Sequence, residues 1–162
     1  MKHIILLLAF ILTSTFLYAE EKAVNKVVVY KAKRQMQLLS GDEVIKTYSI
    51  SLGDNPIGHK VEEGDERTPE GDYVIDYRNP QSHYHLSFHI SYPNEKDKEN
   101  ARKLGVSPGG SIMIHGSPNK FQWSEAVLKN VDWTDGCIAI TNKEIDEFGK
   151  LVKNGTPISL YP

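Results

Sequence analysis

Val27-Val28-Val29-Tyr30, Met36-Gln37-Leu38-Leu39 and Val44-Ile45-Lys46-Thr47-Tyr48-Ser49-Ile50 follow one another closely near the start of the chain. Runs rich in β-branched and aromatic residues suit a pleated, half-buried surface, so each reads as a strand. Ser40-Gly41-Asp42-Glu43 separates the second from the third as a glycine-containing hairpin loop. Working outward, Tyr73, Ile75 and Tyr77 alternate with Val74 and Asp76 in a further strand. Residues 86–91, 112–114 and 157–161 add short ones. Helices are fewer. Asn94 is placed to cap 95–104, which ends at Gly105, and 124–131 is a short helical candidate. Thr141-Asn142-Lys143-Glu144 has capping-box spacing, with Ile145, Phe148, Leu151 and Val152 following at helical intervals. Strands dominate and no strand–helix–strand alternation is read. The expectation is a mainly β, two-sheet sandwich or barrel-like fold with two or three helices.

The 162 residues suit one domain, and 40% hydrophobic with 25% charged residues can build a packed core. A net charge of −2 argues against nucleic acid as a partner, since phosphate recognition wants a basic face. The short basic cluster Lys31-Ala32-Lys33-Arg34 reads as a solvated turn. Lys2 and His3 precede an apolar run that ends at Leu17-Tyr18-Ala19 before Glu20 and Glu21, the order of a secretory signal peptide. Residues 1–19 are therefore expected to be a signal, 20–25 a short lead and 26–162 the folded domain. The apolar run is short for a membrane span, and no stable span is expected once it is removed. The mature protein is expected to be exported, periplasmic or wall-associated, and monomeric.

Export makes the single cysteine, Cys137, informative, because exported proteins keep cysteines in pairs. An unpaired thiol there is buried, dimerising or catalytic. Two segments bear on the choice. In Ile112-Met113-Ile114-His115-Gly116-Ser117 a histidine ends an apolar strand and a glycine follows it. In Asp132-Trp133-Thr134-Asp135-Gly136-Cys137-Ile138-Ala139-Ile140 a glycine precedes the thiol at a turn entering a strand. Such a turn can aim backbone N–H groups at an oxyanion. A base near in space can activate the thiol, whose ordinary pKa is roughly 8.5. On spacing alone, a Cys–His acyl-transfer site stands beside the plainer reading of an inert buried thiol and a histidine satisfying a carbonyl. Residues 51–71 form a long loop rich in Gly, Pro and charge, a feature that is often functional.

Ile114-His115-Gly116, then Thr134-Asp135-Gly136-Cys137-Ile138 and Thr141-Asn142, resembles the signature of the L,D-transpeptidase catalytic domain, also called the YkuD-type domain. Arg67-Thr68-Pro69-Glu70-Gly71-Asp72-Tyr73 is similar to a second stretch of that family, and Ile90-Ser91-Tyr92-Pro93-Asn94 to a segment of a secreted subgroup. The resemblance runs over residues 26–162, with a His–Cys loop longer than usual. It implies that Cys137, activated by His115, attacks a stem-peptide carbonyl of peptidoglycan at the L-centre of the diamino acid. D-alanine leaves, a thioester remains, and an amine of another stem takes the acyl group as a 3→3 cross-link. It further implies Gly116 as the carbonyl that orients His115, Gly136 and Cys137 as oxyanion donors, no metal or organic cofactor, and carbapenems as pseudo-substrates. Asp135, His89, Tyr92 and Trp133 are the substrate-cleft candidates. Most members carry His where Asp135 stands and Arg where Ala139 stands. An inward Asp135 would favour a protonated His115 and oppose a thiolate; a competing reading has Asp135 orient the imidazole in place of Gly116. Asp65, Glu66 and Arg67 are further sources of polar contacts.

Three rivals share the sequence. His83, His85 and His89 have one parity and metal-compatible spacing, so a zinc hydrolase is weighed, although a catalytic set also wants a carboxylate base and the chain has no His-Glu-X-X-His helix. Trp123, Trp133 and the tyrosines would suit a glycan-binding module. An L,D-carboxypeptidase or other wall hydrolase would keep the same thiol and imidazole and use water as acceptor.

Overall fold

A computed structural model describes residues 22–120 and 124–162. The expected signal and the first lead residues, as well as Trp123, lie outside them. In chain order the elements are β1 (Lys26–Tyr30), β2 (Gln35–Ser40), β3 (Glu43–Ser49), β4 (Gly71–Asn79), β5 (Ser87–Ile90), α1 (Glu95–Leu104), β6 (Met113–His115), α2 (Glu125–Leu128), β7 (Ile138–Ala139), α3 (Asn142–Leu151) and β8 (Thr156–Tyr161). Each strand and helix read from the sequence is present, displaced by a residue or a few at its ends.

The strands form one curled eight-stranded sheet in the order β3-β2-β1-β8-β4-β5-β6-β7. Val27, Val28 and Val29 are all buried, as a strand covered on both faces requires. That strand is β1, antiparallel to β2 and parallel to β8. Past β3 the chain does not leave the sheet. Ser51 bridges Ala139 and Gly53 bridges Thr134, so the continuation of one edge strand meets the other edge at β7. The sheet thereby closes toward a barrel around Val29, Met36, Leu38, Ile50, Leu52, Ile75, Ile90, Ile114, Ile138 and Ile158. Closure removes an exposed pair of strand edges. Contrary to the sequence expectation, strands and helices alternate from β5 to β8, and β6 and β7 are parallel neighbours joined through α2. Parallel neighbours need such a crossover, and a four-residue helix leaves too little periodicity to announce it.

Both longer helices begin as their capping residues dictate. The Asn94 side chain accepts from Asp97 N–H and Asp97 reaches back to the cap, and Thr141 and Glu144 do the same for α3. Gly105 takes the left-handed conformation that ends α1, at φ 70°. α3 buries Ile145 and Phe148, the latter edge-on to Phe88 with ring centroids 5.1 Å apart.

The long loop is held from inside by two buried lysines. Lys31 donates to Gly58 O at 2.5 Å, Thr68 O at 2.9 Å and Glu70 Oε1 at 2.8 Å. Lys60 pairs with buried Asp65 at 2.8 Å, and Asp65 also accepts the N–H groups of Val61, Glu62 and Arg67. A buried ammonium is tolerable only with partners of this kind. The 31–34 cluster is thus a turn, but not a solvated one. Lys31 is buried, and Arg34 Nε and Nη2 grip Asp132 at 2.6–3.0 Å.

Gly53 sits where a side chain has no room: a Cβ there would lie 1.9 Å from Glu66 O and 2.8 Å from Gly136 N. Gly53→Ala is therefore expected to lose roughly 3 kcal/mol or more through overpacking of backbone. Gly41→Ala meets nothing within 4 Å and carries only its positive φ, costing about 1–2 kcal/mol. Urea midpoints of the two variants check this, and equal losses would show that the closure does not depend on Gly53.

Candidate active site

Met113 and His115 on β6 share one face of the sheet, and parallel pairing sets Ala139 opposite His115. Cys137, of the same parity as Ala139, stands just before β7 on that face. The register therefore brings the thiol and imidazole to a single cavity of about 570 Å³, lined by both together with Tyr84, Ser111, Met113, Trp133, Thr134 and Asp135. That volume is typical of a small-molecule or peptide-side-chain pocket.

The turn carrying the thiol is fixed by its neighbours. Trp133 and Thr134 N–H both donate to Leu52 O at 3.1 Å, and Asp54 N–H donates to Thr134 O at 3.1 Å. Thr134 Oγ1 donates to Cys137 O at 2.8 Å and accepts Gly136 N–H at 3.2 Å. Gly136 has φ 114°, and a Cβ on it would lie 2.5 Å from Arg67 O, so no other residue fits there. Met113 N–H points at Cys137 Sγ at 3.4 Å, and the thiol faces Ser111 O at 3.7 Å. Of the two amides expected to meet an oxyanion, that of Gly136 donates to Thr134 Oγ1.

His115 is 3% exposed, packed between Tyr84 at 4.5 Å and Trp133 at 5.6 Å between ring centroids. Its Nδ1 lies 2.7 Å from Gly116 O. A carbonyl only accepts, so Nδ1 carries the proton and Nε2 keeps its lone pair. Burial drives the imidazole pKa down to about 4, against a smaller upward pull from the Gly116 carbonyl. Burial likewise pushes the Cys137 thiol up; the Met113 N–H opposes this, Asp135 adds to it and Lys60 counters it. Both groups therefore rest uncharged at neutral pH. The Asp135 carboxylate opposes charge on the thiol, while the imidazole shift comes from burial and Gly116 O. Asp135 does not orient the imidazole, because Gly116 O holds that position.

The remaining candidates divide. Trp133 and Asp135 line the cavity, whereas His89 and Tyr92 do not. His89 stacks on Tyr77 at 4.6 Å and meets Asp76 at 2.7 Å. Tyr92 is buried and donates to Pro108 O at 2.9 Å. His85 pairs with Asp146 at 3.0 Å, so the three histidines do not converge, and no cluster of metal-ligating side chains forms among the described residues. Glu66 O and Arg67 O back the closely packed Gly53 and Gly136, Asp65 holds the long loop through Lys60, and none of the three lines the cavity. Tyr84 and Thr134 were missed as individual site residues. Tyr84 lies in an irregular segment where no periodicity marks it, and its contact with His115 is made only by the fold.

A sequence profile described as the L,D-transpeptidase catalytic domain, YkuD, matches residues 25–160. YafK of Escherichia coli strain K12, whose name assigns it provisionally to the L,D-transpeptidases, is 30% identical over 155 residues, covering 90% of this chain and 52% of that protein. Pgp2 of Campylobacter jejuni, a helical cell shape determining protein, is similar in structure with a TM-score of 0.66 and 27% identity, over 85% of this chain and 47% of its own. Bd1075 of Bdellovibrio bacteriovorus follows with a TM-score of 0.61 and 25% identity, over 86% and 48%. The chain thus spans about half the length of these relatives. With the profile covering the whole sheet and its cavity, the chain belongs to the L,D-transpeptidase catalytic domain family.

Proposed function

We propose that this protein is an exported peptidoglycan L,D-transpeptidase that works through a thioester on Cys137. The observation that carries this reading is the meeting of Cys137 and His115 in one cavity, with His115 Nδ1 tied to Gly116 O and Nε2 left as a base.

Because thiol and imidazole rest neutral, activation is a proton transfer during attack and not a standing ion pair. Cys137 Sγ attacks the stem-peptide carbonyl at the L-centre of the diamino acid as His115 Nε2 takes the thiol proton. The tetrahedral oxyanion is received by Cys137 N–H. Its collapse breaks the C–N bond, and His115 returns the proton to the departing D-alanine amine. An acceptor amine then attacks the thioester, gives its proton to His115, and the thiol is restored. Burial of the imidazole between Tyr84 and Trp133 keeps it neutral and aimed, which is what a general base requires. Water entering the same open cavity would make the enzyme an L,D-carboxypeptidase, and product masses decide between the two. No helix among the described residues is long and apolar enough to cross a membrane. Residues 1–19 are read as a cleaved signal, the compartment as periplasm or cell wall, and a role in cell shape follows the likeness to Pgp2.

Muropeptides incubated with the mature protein should yield 3→3 cross-linked products by mass. His115→Ala is expected to lower kcat by roughly 10²–10⁴. Cys137→Ser should fold but give neither product nor a covalent carbapenem adduct, and full activity in that variant would end the nucleophile assignment. N-terminal sequencing of native protein should begin at or near Glu20; an intact Met1 in a cytoplasmic pool would refute export.

A pH prediction follows from the buried imidazole. The unfolded chain binds a proton at His115 below about 6.5, while the folded site refuses it down to about 4. Native stability should therefore fall as pH drops through that window, and His115→Gln should flatten this part of the profile. Over the same range kcat/KM should persist below the ordinary histidine pKa. An acid limb at about 6.5 in kcat/KM, together with a stability profile that His115→Gln leaves unchanged, would show that the imidazole is solvated.

A further inference from the structure

Two acids flank the nucleophile turn, and their environments differ. Asp132 is fully engaged: Arg34 grips both of its oxygens, and Oδ1 also accepts Leu52 N–H at 2.9 Å. Asp135 is exposed and makes no hydrogen bond or ion pair among the described residues, yet it lines the cavity beside Cys137. The other described lining residues are Ser, Thr, Gly, Pro, Tyr, Trp and aliphatic side chains, with the neutral His115 and the thiol. No lysine or arginine is among them. Lys60, whose charge is felt at the thiol, cannot swing in, because it is buried and bound to Asp65 Oδ1 at 2.8 Å and Glu62 O at 3.0 Å.

Resting on the reading of Cys137 as nucleophile, we infer that Asp135 is a specificity-determining residue that holds a primary ammonium group of the peptide substrate beside the thiol. A lone carboxylate on an otherwise uncharged wall sets a negative potential where the peptide must lie. An anionic group there is repelled, a blocked amine gains nothing, and an ammonium finds its complement. Rejection of the wrong charge contributes to selectivity as much as attraction of the right one. A docked ammonium also offsets the carboxylate that opposes negative charge on sulfur, so the correct substrate relieves the resistance that the empty site imposes. The ammonium can belong to the donor's diamino acid or to the acceptor amine; the chemistry is shared.

The test uses synthetic stem tetrapeptides with the diamino-acid amine free or acetylated as acyl donors, each with the same free-amine acceptor in excess, offered to wild type, Asp135→Asn and Asp135→Lys. The wild type should prefer the free amine by roughly two- to fivefold in kcat/KM at low salt, as for an exposed ion pair. The preference should shrink near 1 M salt, where the Debye length is about 3 Å. It should approach one in Asp135→Asn and invert in Asp135→Lys. Binding of the same peptides to Cys137→Ala, with and without Asp135→Asn, reads the ratio without turnover. Failure of turnover in the wild type alone would sink the nucleophile reading, while the binding ratio still decides Asp135. Dependence on the donor's amine places the ammonium on the donor. Dependence appearing only when acceptor amines compete with hydroxyl acceptors places it on the acceptor. A ratio that ignores residue 135 in both turnover and binding overturns the inference.

Discussion

The backbone contact between residues 51–54 and 133–139 is the constraint on which the rest of the structure depends. Ser51 and Ala139 exchange both of their N–H···O bonds at 2.9 Å, and Leu52 O receives the amides of Trp133 and Thr134. This seam closes the sheet and at the same time immobilises the turn that presents Cys137. It tolerates no side chain at Gly53, and Gly136 is pressed against Arg67 O on the other side of the same junction. Arg34 and Asp132 lock the β1–β2 turn onto it, and the Ser51 hydroxyl donates to Leu128 O at 2.6 Å to fasten α2. A single packed junction therefore serves both stability and the aim of the thiol.

Burial at the site works in two directions. Packing Tyr84 and Trp133 around His115 fixes its ring and its tautomer, but the same desolvation denies it a proton across the neutral range. Desolvation also resists a thiolate. The pair consequently stores no charge separation. The long loop belongs to this economy of support: its buried lysines hold a platform behind the turn, and its backbone carbonyls meet the two glycines.

Much of the fold was legible because its signals are local. Alternation across 73–77, the β-branched runs at 27–30 and 44–50, and the capping boxes at Asn94 and Thr141 act over a few residues. A strand end at His115 and a glycine before Cys137 marked two residues that the fold brings to one cavity, whereas Gly116 became a candidate through the resemblance. Strand parity gave His89 a face but not its partners, Asp76 and Tyr77. The stretch that made Tyr92 a candidate did not reveal that its buried hydroxyl donates to Pro108 O. The solvated reading of Lys31 failed because its partners lie 27–39 positions further on.

By itself the sequence determined the class of element at each place, the residue types able to do acyl-transfer chemistry, and the resemblance that their order carries. These depend on periodicity, capping and short motifs, all of which are set within a turn or a strand. Tertiary structure decided the strand order, the parallel crossover from β6 to β7, and the closure at Ser51 and Gly53. It also decided that Tyr84 and Trp133 enclose His115, that Thr134 takes the Gly136 amide, and that Asp135 stays unpaired while Asp132 does not. Contacts of this kind join residues far apart along the chain. Their geometry and the desolvation they impose exist only once the sheet has closed.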